Sequence, residues 1–145
     1  MKIPPMDERT KIIDAAGLIL GRMASIVAKR LLNGEKIIIV NAEKAVISGD
    51  KYMIIEQYHD YLQRGHLEKG PLHPRRPDRI VRRAIRGMLP YKRPRGRDAL
   101  NRLKVYMGVP AELRGKPVET INEASASKLK GRYITVLELS QHIKS

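Results

Sequence analysis

The chain has 145 residues, 42% of them hydrophobic, and no cysteine. That is the length of one ordinary domain with enough apolar side chain for a true core, and it excludes a disulfide framework, a thiol nucleophile and a cysteine-based zinc site. The formal net charge of +14 calls for an anionic partner. Phe and Trp are absent, so the core must be aliphatic. No stretch reaches the ~18 apolar residues of a membrane span, and the opening MKIPPMDERTKIID lacks the apolar run of a signal peptide. The expectation is a single soluble, intracellular domain over 1–145 with basic appendages and no membrane partner.

In chain order, KIIDAAG (11–17) reads as a strand ended by Gly17. LGRMASIVAKRLLNG (20–34) follows with Leu20, Met23, Ile26, Val27, Arg30 and Leu31 at helical intervals and Asn33-Gly34 as a stop signal. EKIIIV then opens a second strand whose β-branched run suits a parallel sheet covered on both faces. Strand, helix and strand make one βαβ unit. A turn at 48–50 leads to a second helix over 51–65, and the Pro- and Gly-punctuated stretch 65–77 is a loop.

The segment HPRRPDRIVRRAIRGMLPYKRPRGR (73–97) holds ten basic residues against Asp78 alone, a local charge of +9. All but Lys92 are arginine, whose planar fork suits phosphates and stacked bases better than a merely solubilising surface requires. Within 78–89, Ile80, Val81, Ala84, Ile85, Met88 and Leu89 form one stripe, and Arg79, Arg82, Arg83 and Arg86 form a rail on the other side. Pro77 and Asp78 suit the start of this helix. YKRPRGR (91–97), with Pro94 and Gly96, is expected to be an extended basic arm carrying Lys92, Arg93, Arg95 and Arg97. A short helix over 97–103 and a third strand over 104–108 follow. In the last helix, 133–144, Thr135 and Glu138 have capping-box spacing.

Catalytic chemistry finds little support. Gly17 and Gly21 precede a helix, but Arg22 and Met23 stand where a nucleotide-triphosphate loop needs Lys and Ser or Thr, so turn and packing geometry is the simpler reading. Arg22 remains a candidate phosphate contact, with Lys29 a weaker one. His59, His66 and His73 recur every seven residues, yet Gly65, Gly70 and Pro71 break any common helix, so they read as exposed or RNA-contacting side chains, not a metal set. No cofactor, small-molecule substrate or nucleophile motif is indicated. A duplex-DNA reader would show a helix-turn-helix or zinc spacing, which is not found; phosphate and shape contacts to folded RNA are favoured.

LGRMASIVAKRLLNG, the ISG turn at 47–49, the run GPLHPRRPDRIVRRAIRGMLPYKRPRGRDALNRLKVYMGVP (70–110) and the terminal YITVLELSQHI resemble the L thirteen family of large-subunit ribosomal proteins, in its archaeal and eukaryotic branch. The match covers about residues 10 to 143. The resemblance implies a three-layer α/β/α fold around a small, mostly parallel four-stranded sheet with a basic helical and loop extension. It also implies a non-enzymatic, rRNA-binding constituent of the large subunit, located in the cytoplasmic ribosome beside large-subunit rRNA and neighbouring ribosomal proteins. The basic rRNA-binding segment spans 73–104. Its implied contacts are Arg75, Arg76, Arg79, Arg82, Arg83, Arg86, Lys92, Arg93, Arg95, Arg97, Arg102 and Lys104, with Arg22 on the first helix. The long basic C-terminal extension of eukaryotic members is lacking, which favours an archaeal source. The rival readings are a nucleotide- or sugar-phosphate-binding α/β enzyme built on the Gly17–Gly21 turn, and a protein that binds free DNA or a membrane surface.

Overall fold

The structure, a computed structural model, describes residues 10–64 and 75–143; most of the loop expected at 65–77, with His66 and His73, lies outside them. Its core is a parallel sheet of three strands, β1 (Thr10–Asp14), β2 (Lys36–Val40) and β4 (Leu103–Val105), with β2 in the middle. Ile12 lies opposite Ile38 and Ile39 opposite Val105, all in parallel register. The helix α1 (Leu20–Leu32) links β1 to β2. It stops at Asn33 and Gly34, the latter at φ +97°, a conformation glycine adopts without steric cost.

Alternation along β2 explains its unbroken aliphatic run. Ile37 and Ile39 are fully buried in one cluster with Met23, Val27 and Leu31 of α1, whereas Ile38 and Val40 face a second cluster with Ile12, Tyr106 and Leu113. Each such side chain favours folding by about 1.5–3 kcal/mol. The first face is covered by helices; among the described residues the second is covered by the segment from Tyr106 to a 3₁₀ turn at Ala111–Leu113.

The α/β class is as expected, but the fourth strand does not join the parallel sheet. After β2, Asn41 takes a left-handed conformation (φ 56°), its side-chain amide donating to Asp14 Oδ1 at 3.0 Å, and a 3₁₀ turn at Ala42–Lys44 redirects the chain. β3 (Val46–Ser48) therefore pairs elsewhere, antiparallel with β5 (Tyr133–Thr135). β5 occupies the beginning of the expected last helix, and α5 (Val136–Ile143) starts three residues later. The capping box is present: the Glu138 N–H donates to Thr135 Oγ1 at 3.1 Å, and the Thr135 N–H reaches Glu138 Oε1 at 3.4 Å.

Asp50 caps the start of α2 (Lys51–Arg64), accepting from the N–H groups of Tyr52 and Met53 at 3.0 and 3.3 Å. Two further helices, α3 (Pro77–Arg86) and α4 (Pro94–Asn101), carry the basic segment.

Candidate nucleic-acid interface

In α3, Pro77 sits in the first turn, where its missing N–H costs nothing, and Asp78 lies at the positive end of the helix dipole. Pro77, Ile80, Val81 and Ile85 are buried. The opposite arc carries Arg79, exposed, and Arg83 and Arg86, half-buried. Arg76 grips Asp78 through two bonds of 3.2 and 2.9 Å. Arg75 is exposed, and its backbone carbonyl accepts from the buried Ser140 hydroxyl at 2.7 Å, fastening the start of α3 to α5.

The segment 91–97 departs from the expected extended arm. α3 ends at Gly87, Leu89 turns back into the core, and α4 begins at Pro94, with Arg93 as its N-cap. Pro94 and Gly96, read as helix breakers, both serve the helix. Proline is favoured in a first turn. Gly96 is buried where a Cβ would stand 2.0 Å from the Pro90 carbonyl oxygen and 2.8 Å from the Tyr91 nitrogen, so α4 packs its backbone directly on the preceding turn. The Arg86 guanidinium lies 4.4 Å from the centre of the Tyr91 ring, a cation–π contact that ties α3 to the same turn.

The result is a folded platform in place of an arm. Lys92, Arg93, Arg95 and Arg97 are exposed on it, and none has a side-chain partner among the described residues. The first turn of α4 contains no acid, so its helix dipole adds to the positive field of these arginines. Asp98, exposed on α4, forms no ion pair among the described residues.

Two of the expected contacts face inward. Arg82 is half-buried and donates to the Leu103 carbonyl at 3.1 Å, locking α3 to β4. Burial, and after it the nearby Arg86 charge, lower its pKa below the ordinary arginine value, yet a guanidinium stays protonated at neutral pH. Arg102 donates to the Leu31 carbonyl in the last turn of α1, where a cation complements the negative end of the helix, and its buried Nε has no partner among the described residues. Lys104 is exposed on β4 and Arg22 on the first turn of α1.

At the Gly17–Gly21 junction the N–H groups of the first three residues are already used. Gly17 donates to Lys44, Leu18 to Ala15 and Ile19 to Ala124, and Gly21 lies inside α1. The N–H groups of 17–19 are thus unavailable to a nucleotide phosphate, whereas those of Leu20, Gly21 and Arg22 in the uncapped first turn of α1 have no partner among the described residues. Sequence reasoning missed Gly96 and Tyr91; a proline at a first-turn position followed two residues later by glycine was the available signal for a closely packed helix.

A family model described as ribosomal protein L13 matches residues 8–112, the stretch that contains the sheet, α3 and α4. The chain belongs to the ribosomal protein L13 family. The large ribosomal subunit protein uL13 of Archaeoglobus fulgidus is 55% identical over 134 residues, covering 91% of this chain and 86% of that protein. That of Methanosarcina barkeri is 57% identical over 136 residues, 92% of this chain and 97% of the relative. That of Methanopyrus kandleri is 47% identical over 143 residues, 96% of this chain and 90% of the relative. These L13 relatives are named as large-subunit proteins and span nearly the same length, so the platform belongs to the body of the family's shared sequence.

Proposed function

We propose that this L13-family chain is a structural constituent of the large subunit of the cytoplasmic ribosome. It binds folded large-subunit rRNA and contributes to subunit assembly, as one domain whose basic segment 73–104 forms the RNA face. One observation carries the reading: Lys92, Arg93, Arg95 and Arg97 are exposed, without carboxylate partners among the described residues, on a support fixed by backbone packing at Gly96. Each cation placed on a phosphate releases a condensed counterion, which drives binding and weakens as salt rises. Arg75, Arg79, Arg83, Arg86 and Lys104 extend the field, with Arg22 outlying. Arg76 contributes while paired to Asp78, and Arg82 and Arg102 keep the face in shape. Charge alone would bind any polyanion, so the fixed spacing of the arginines supplies discrimination by shape.

Filter binding to large-subunit rRNA across a salt series tests this. Replacing Arg93, Arg95 and Arg97 together with Ala is expected to lower the slope of log affinity against log salt by about 2–3, on the scale of one ion released per contact. The melting temperature should stay close to wild type. An unchanged slope would overturn the reading.

A further inference from the structure

A second surface has a different chemistry. Where α2 begins beside β5, a concavity of about 430 Å³ is lined by Asp50, Lys51, Tyr52, Arg132, Tyr133 and Glu138, among others. Its charges balance, and they are largely engaged: Arg132 pairs with Asp50 at 3.2 Å, Asp50 also caps α2, and Glu138 accepts from Thr135. Such a site gives a polyanion no counterion-release advantage. Tyr52 is nonetheless 76% exposed and Tyr133 49% exposed, an aromatic pair of the type that anchors protein interfaces.

Among the described residues no strand pairs with the outer edge of β5, beside the tyrosines. Val136 donates to Ala45 and Gly49 to Arg132, at the two ends of the β3–β5 ladder. The alternation of an antiparallel pair then turns Ile134 toward β3, and the N–H and C=O of Tyr133 away from it. Those two groups have no partner among the described residues. An outward donor and acceptor on one residue fit the backbone of an extended polypeptide, which adds as a strand and sends a side chain into the adjacent pocket. We propose that this concavity docks an extended segment of a neighbouring large-subunit protein, paired on the outer edge of β5 with an apolar or aromatic side chain held between Tyr52 and Tyr133. The proposal rests on the ribosomal placement above.

The full chain carrying Tyr52→p-benzoylphenylalanine, assembled into large subunits in cells and irradiated in the purified particles, reads the occupant directly. Sedimentation with the large subunit is scored first; chain confined to the top of the gradient would refute the ribosomal placement itself. Within the particle, the expected result is a protein adduct whose attachment peptide is a single extended segment. Adding Tyr133→Pro removes the outward N–H without touching the β3–β5 ladder, and adding Tyr133→Ala removes the ring. Either change should lower the adduct yield about tenfold or more. An adduct to rRNA, the absence of any adduct, or a protein adduct indifferent to both Tyr133 changes would overturn the docking site.

Discussion

Arg30 and the arginines of α4 carry the same charge in opposite settings. Arg30, near the end of α1, donates from Nε and Nη2 to both oxygens of Glu35 at 2.9 Å and from Nη2 to Glu119 at 3.2 Å. It joins α1, the start of β2 and a segment that bridges β1 at Ile13. Arg93, Arg95 and Arg97 are exposed, with no acid engaged among the described residues. A cation with two carboxylates is satisfied by the fold, whereas three cations beside a helix N-terminus are satisfied only from outside it. The partnerless state, more than the local density of arginine, distinguishes the proposed binding face.

The comparison breaks most completely if the platform itself is removed. Gly96→Ala gains roughly 0.5–1 kcal/mol of helix propensity, yet it drives a methyl group into the backbone of Pro90 and Tyr91. Backbone cannot yield as a flexible side chain does, so this clash should fall at the upper end of the roughly 1–3 kcal/mol that overpacking typically costs. The variant should melt well below wild type and lose rRNA affinity with every arginine still in place. Unchanged melting would mean that α4 does not rest on the 90–91 turn.

A smaller effect separates the two arginine settings within α3. Arg82→Ala leaves the Leu103 carbonyl without its donor and should destabilise the protein by about 1–2 kcal/mol. Arg79→Ala, one turn away and exposed, should shift stability by less than about 0.5 kcal/mol while lowering the salt slope of RNA binding. Thermal melts and filter binding on the two variants check the assignment; equal melting temperatures would dissolve the distinction between inward and outward arginines.

Much of this was legible in sequence because it depended on local pattern. The KIIIV run, the Asn33-Gly34 stop and the Thr135–Glu138 capping box each encode their geometry within a few residues. What was not legible depended on distant partners. β5 is three residues long and pairs with β3 some 87 positions earlier, Ile47 opposite Ile134, so no local turn announces it. Arg82 lies at the margin of its helix's apolar stripe, where periodicity alone does not decide between solvent and the Leu103 carbonyl. Pro94 and Gly96 were misleading because the same residues that end a helix also begin one or allow close packing.

The smallest expected effect belongs to the satisfied cation. The hydrogen bond from Arg30, aided by its charge and that of Lys11 and opposed by desolvation, holds the Glu35 carboxyl below its ordinary value of 4.5. A carboxylate whose pKa is depressed by folding stabilises the folded state above its unfolded pKa, and that stabilisation disappears as pH falls through the lower folded value. Glu35→Gln should therefore make the protein slightly less stable at pH 7, by under about 1 kcal/mol for a partly exposed pair. The deficit should close as pH drops below 4.5, because the wild-type carboxyl then protonates and loses the same interaction. Denaturant melts at pH 7 and at successively lower pH on both proteins measure the gap. The RNA salt slope should be untouched, since Arg30 lies outside the binding face. A gap that persists into strong acid would show that Arg30 and Glu35 contribute through packing and not through charge, and a changed salt slope would place Arg30 among the cations the RNA satisfies.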